Sequence, residues 1–236
     1  MSGDADARWQ GMRVIARGAN RVCVLDPDLP GHCLKYELRP QPGMRRYWRR
    51  RVRYALSRRF PRFGLNATEL LAWRRLHARM GDDLLGRVAP CIGIVQTGAG
   101  TALRARLAAD ASGRPAPSIA SLLGRGPGGF DPTALVLALD GFEAWLLANR
   151  IPLSDLNAGN LVVVERDGGL GLVCVDLKST VSGRELVPLS RWAWPLMRAK
   201  IQRTCPRPRE LIPPASGVRT PPEPPGPTYS TLSHNN

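Results

Sequence analysis

The chain has 236 residues, 43% of them apolar, with 34 basic against 19 acidic residues and a net charge of +15. That length builds one sizeable domain or two lobes sharing a cleft, and the apolar share excludes wholesale disorder. No apolar run approaches the ~18–20 residues that cross a bilayer, since the best candidate, Ala134 to Ala148, is broken by Asp140 and Glu143. The first residues carry neither the basic nor the apolar region of a secretory signal. Cys23, Cys33, Cys91, Cys174 and Cys205 are scattered, with no CxxC pair. The expectation is a cytoplasmic protein with reduced thiols, without a zinc site or a disulfide framework.

The basic excess is nearly all arginine: the lysines are only Lys35, Lys178 and Lys200. It predicts attraction to polyanions such as nucleic acid, anionic lipid or nucleotide phosphates.

In chain order, Val14 to Leu25 alternates loosely around Gly18, and Cys33 to Tyr36 is strand-like after the turn at 27–31. Together they predict one hairpin with a glycine near the start of its first strand. A basic segment follows, with nine arginines from Arg45 to Arg62. Asn66 or Thr68 is the expected N-cap of a helix carrying Glu69, Leu70, Leu71, Trp73, Leu76 and His77. Cys91–Gln96 and Thr101–Ala108 read as strands around a glycine turn, and Ser118–Leu123 as a short helix. Asp131-Pro132 opens the clearest helix, with Leu135, Leu139, Phe142, Leu146 and Leu147 on one stripe and an end near Asn149. Leu161–Val164 and Leu172–Val175 form a second hairpin, and Ser190–Arg203 a last helix. From Thr204 to Asn236 there are nine prolines, which predicts a disordered tail.

The chemistry concentrates after the long helix. Asp155 stands five positions before Asn160 in a loop leading to a hydrophobic strand, and Asp176 ends the next strand. Alone, Asp, Asn and Gly here are ordinary turn formers. Together, two carboxylates and a carboxamide at strand ends can accept a hydroxyl proton and hold Mg²⁺ through hard oxygen ligands.

The pattern Asp155-Leu156-Asn157-Ala158-Gly159-Asn160-Leu161-Val162, with Asp176 after a hairpin, resembles the catalytic and metal-binding loops of the protein-kinase-like fold. More closely, Ile15-Ala16-Arg17-Gly18-Ala19-Asn20-Arg21-Val22 with Leu34-Lys35-Tyr36 is similar to the start of YrbL-type proteins of the PhoP regulatory network. So are Glu69–Leu76 and Ala109–Pro115, and the likeness covers residues 12–203. It implies an α+β, two-lobed kinase-like fold with a reduced C-terminal lobe. The implied division is a flexible N-terminus over 1–11, a nucleotide lobe over 12–108, a second lobe over 109–203 and the tail from 204. Residues 103–108 would connect the lobes.

By the same resemblance, Gly18 covers the phosphates of ATP, Lys35 reaches them and Glu69 pairs with Lys35. Asp155 is the catalytic base, and Asn160 and Asp176 hold Mg²⁺. Ala16 and Arg21 stand where outer glycines are usual, Leu153 replaces a histidine, and Lys178 a glycine. The implied activity is phosphoryl transfer to an acceptor the sequence does not specify. Two rivals stay open: a pseudokinase-like regulator without turnover, and a polyanion-binding protein working through Arg45–Arg62. For that segment, a solvated insert competes with docking to nucleic acid or a membrane surface, with Tyr47, Trp48 and Tyr54 interleaved.

Overall fold

The computed structural model describes residues 9, 11–40, 43, 47–125, 130–151, 157–166 and 168–177. Leu153, Asp155, Lys178, the helix expected over Ser190–Arg203 and the proline-rich segment lie outside them.

Strands β1 (Val14–Arg17), β2 (Arg21–Leu25) and β3 (His32–Glu37) follow one another as a meander. The sequence predicted a single strand from Val14 to Leu25. It is two, because the Gly18 N–H donates to the Arg21 carbonyl at 2.9 Å and turns the chain back. Strands β4 (Cys91–Thr97) and β5 (Gly100–Arg106) complete an antiparallel sheet of order β1-β2-β3-β5-β4. Leu103 to Arg106 still belong to β5, so the stretch leaving the sheet begins at Leu107.

Period-two alternation sorts this sheet into two chemistries. Val22, Val24, Leu34, Tyr36 and Ala102 are buried together with Trp9 on one face. Arg21, Cys23, Cys33 and Lys35 point to the other, with Cys23 directly opposite Lys35 in the β2–β3 ladder.

The arginine segment forms helix α1 (Tyr47–Arg59), followed by a 3-10 turn (Pro61–Phe63) and helix α2 (Leu65–Met80). The expected caps are corrected here: Gly64, in extended conformation, occupies the N-cap of α2. Thr68 already lies inside the helix and donates its hydroxyl back to the Gly64 carbonyl at 2.8 Å. Asn66 is buried, its side chain donating to the Lys35 carbonyl at 2.7 Å. At the other end Gly81, with φ 59°, supplies the positive φ that glycine tolerates and donates to the His77 carbonyl. His77 stacks on Trp73 at 4.7 Å between ring centroids.

Two capped helices follow. Ser118 accepts from the Ser121 N–H to start α3 (Ile119–Gly124), and Asp131 accepts from Thr133 to start α4 (Pro132–Ala148). Leu135, Leu139, Phe142 and Leu146 of α4 are buried against the antiparallel hairpin β6 (Leu161–Arg166) and β7 (Gly169–Cys174), whereas Leu147 is only partly covered. At about 1.5–3 kcal/mol per buried side chain, this stripe is the main anchor of the hairpin.

Main-chain bonds then fix the hairpin in place. Ala89 donates to the Cys174 carbonyl, Val175 to Asn160, and Ala120 to Ala158, all at 2.9 Å. The architecture is α+β. Among the described residues, no helix is long and apolar enough to cross a membrane.

Candidate functional site

A buried network of two cations and two carboxylates joins the sheet, helix α2 and the segment after β7. Lys35 donates from Nζ to Glu69 Oε1 and to the Val175 carbonyl, both at 2.7 Å. Arg21, at the start of β2, pairs with Glu69 Oε2 and places Nη2 2.9 Å from Asp176 Oδ1. Asn66 accepts from Arg21 at 3.3 Å while donating to the Lys35 carbonyl. All five side chains are buried.

Local structure explains the convergence. Arg21 and Lys35 share the sheet face that alternation leaves for polar groups, and Glu69 lies one helical turn from buried Asn66 on α2. The network is formally neutral. Burial opposes the charge on Lys35, but Glu69 outweighs it and holds the pKa above the ordinary lysine value. Burial likewise opposes the charge on Arg21, and Glu69 with Asp176 overrides it, so its pKa is raised too. Both cations stay charged at any physiological pH. Burial pushes the Cys91 and Cys174 thiols up to about 12, which leaves neither as a thiolate near neutrality.

Three members of this network, Arg21, Lys35 and Asp176, line a cleft of about 650 Å³, within the ~300–1,000 Å³ usual for small-molecule sites. Its roof is the turn at Gly18 with Arg21, Cys23 and Lys35, and its floor includes Ser118, Asn160, Val162 and Asp176. A smaller cavity of about 440 Å³, around Leu85, Pro90, Arg106 and Val164, contains none of the buried charges.

The predicted site residues fall as follows. Lys35 and Glu69 are in direct contact, and Asp176 is joined to them through Arg21. The Asn160 carbonyl accepts from Val175, so Asn160 and Asp176 emerge side by side at the cleft floor. Gly18 sits at the cleft mouth, where an added Cβ would meet nothing closer than the Arg21 carbonyl at 3.8 Å. Asp155 lies outside the described residues. Two members of the network, Arg21 and Asn66, were not predicted as site residues. The signal for Arg21 was its even spacing from Cys23, which puts it on the face of Lys35 once the ladder register is known.

The oxygens present suit a hard divalent cation in kind. One carboxylate and one carboxamide at the floor of a cleft are what Mg²⁺ takes when substrate phosphates complete its shell. Arg21 already neutralises the carboxylate, so a cation at Asp176 competes with the guanidinium. Among the described residues, no group of three or more His, Cys, Asp or Glu side chains is arranged to hold a metal by itself.

No protein-family model and no curated protein matches the chain. Among solved structures, it is similar to the Rio2 kinase–ADP/Mg²⁺–phosphoaspartate complex from Chaetomium thermophilum at 16% identity, covering 84% of this chain and 56% of that one, with a TM-score of 0.43. It is similar to a mutant PknI kinase domain of Mycobacterium tuberculosis at 15% identity, over 71% of this chain and 58% of that one, with a TM-score of 0.39. A third is WbdD, at 13% identity, over 83% of this chain and 46% of that one, with a TM-score of 0.40. The chain therefore spans 46–58% of the length of these three structures.

Proposed function

We propose that this chain is a kinase-like protein, similar to YrbL-type proteins over residues 12–203, that binds ATP with Mg²⁺ in the cleft between a unit over 12–108 and one over 109–203. The observation that carries this reading is the Lys35 ammonium held between Glu69 and the Val175 carbonyl, one residue before Asp176. A strand lysine fixed by a helix carboxylate beside a cleft aspartate is a preorganised place for anionic phosphate oxygens.

In this reading, Lys35 turns an N–H to the phosphates while Glu69 holds its direction. Ala108 and Val162 supply apolar wall for a base. Asn160 and Asp176 would hold Mg²⁺, which when bound neutralises phosphate charge. Asp155, five positions before Asn160 in the sequence, takes the proton of an acceptor hydroxyl. The acceptor oxygen bonds to the γ-phosphorus as the bond to the β–γ bridging oxygen breaks, releasing ADP.

The second reading is a nucleotide-binding regulator without turnover. The observation favouring it is the Arg21–Asp176 contact, which places a fixed cation where turnover needs an exchangeable one. ADP release separates the two. Asp155→Asn should abolish turnover and spare ATP affinity, because a base acts in the transition state, whereas Asp176→Asn should weaken Mg²⁺-dependent binding. ATP hydrolysis unchanged in Asp155→Asn refutes the base assignment. ATP bound by the wild type without ADP release establishes the regulator.

A further inference from the structure

Helix α1 carries an exposed apolar stripe inside the most basic segment of the chain. Trp48, Val52 and Leu56 are 70%, 55% and 41% exposed, at i, i+4 and i+8, with exposed Ala55 beside them. Phe60 and Phe63, each 43% exposed, extend the stripe beyond the helix end. The half-buried positions Tyr47, Tyr54 and Ser57 fall on the opposite side of the helix. Arg49, Arg51, Arg53 and Arg62 are exposed around the stripe, and Arg51 lies over the Trp48 ring at 5.4 Å. Between Glu37 and Glu69 the sequence holds no acidic residue at all.

We propose that this face of α1 docks on an anionic lipid bilayer. Two independent features select that occupant. The charge is one-signed, with no acidic residue from 38 to 68, which complements a negatively charged leaflet. The stripe is also continuous, with aliphatic Val52, Ala55 and Leu56 between the aromatic ends. Exposed nucleic-acid bases stack chiefly on aromatic rings, whereas the acyl boundary of a membrane takes aliphatic and aromatic side chains alike, with Trp at the interface and arginines reaching the headgroups. A water-exposed apolar stripe of this size is otherwise a solubility liability. Docking by α1 would hold the ATP-site cleft beside the membrane surface, but the proposal stands on α1 alone and survives if the nucleotide reading fails.

The test is co-sedimentation of the full chain with vesicles of phosphatidylcholine mixed with phosphatidylglycerol, and with phosphatidylcholine alone. The chain should pellet with the mixed vesicles at low salt and stay in solution with the neutral ones. The triple variant Trp48→Ser, Val52→Ser, Leu56→Ser keeps every arginine and changes only exposed side chains. It should lose at least about tenfold in partitioning, with its circular dichroism unchanged. Wild-type partitioning by the triple variant would overturn the proposal, since the arginines alone would then account for attraction to any polyanion. Tighter binding to single-stranded DNA than to the mixed vesicles at the same salt would overturn it in favour of a nucleic-acid surface.

Discussion

Arg21 Nη2 lies 2.9 Å from Asp176 Oδ1, so a side chain from the start of β2 is tied to a residue two positions past the β6–β7 hairpin. The same guanidinium also pairs with Glu69. One arginine thereby links the sheet, helix α2 and the cleft floor, and stands beside the oxygen a divalent cation would use.

Replacing Arg21 should expose that competition. Arg21→Ala leaves two buried carboxylates short of a partner, a loss of about 3–5 kcal/mol. Added Mg²⁺ without nucleotide should recover part of this in the variant and little in the wild type, because in the wild type the ion must compete with the Arg21 guanidinium for Asp176. Thermal unfolding with and without Mg²⁺ measures it, and equal responses in both proteins would contradict the competition.

Gly18 separates fold from ligand. An added Cβ meets only the Arg21 carbonyl, at 3.8 Å, and Gly18 is not among the glycines with positive φ. Gly18→Ala should leave the melting temperature within about 2 °C of wild type, as surface changes away from special features stay near ±0.5 kcal/mol. If ATP binds as proposed, with the Gly18 turn over its phosphates, ATP affinity should nevertheless fall. Titration calorimetry reads it; unchanged affinity would remove Gly18 from the site.

The fold was legible where local chemistry decides it. Asp131-Pro132 announced α4, Ser118 the short α3, and β-branched runs the β6–β7 hairpin, because caps and alternation act within a few residues. The N-cap of α2 was misread, since Asn66 is a good cap by type yet is held by the Lys35 carbonyl, a contact spanning 31 residues. The pairing of β3 with β5, which sets Lys35 against Leu103, is likewise a tertiary outcome. Lys35, Glu69 and Asp176 could be singled out by resemblance. The place of Arg21 could not, because the departure from glycine says nothing of which carboxylates it meets.

The network also sets a pH dependence. Burial opposes the charge of Lys35 and Glu69 overrides it, so its folded pKa exceeds the unfolded one. A raised pKa contributes stability that is fully present below the unfolded value of about 10.4 and is lost as pH rises through the folded value. Urea unfolding should therefore show a Lys35 contribution that is flat from about pH 6 to 9 and declines only in strong alkali. Lys35→Met should be less sensitive than wild type above about pH 10. A stability loss between pH 6 and 9 that vanishes in Lys35→Met would contradict this sign.

The most direct test is the melting temperature of wild type and Lys35→Met with ATP and Mg²⁺. A ligand at a hundredfold its dissociation constant stabilises by about 2.7 kcal/mol, which at this chain length raises the midpoint by roughly 5–10 °C. Glu69 keeps Arg21 as a partner when Lys35 is lost, so the variant should still fold and simply fail to respond. A wild-type shift that Lys35→Met abolishes is the predicted result. No shift at millimolar ATP, or the same shift in both proteins, would contradict nucleotide binding at Lys35.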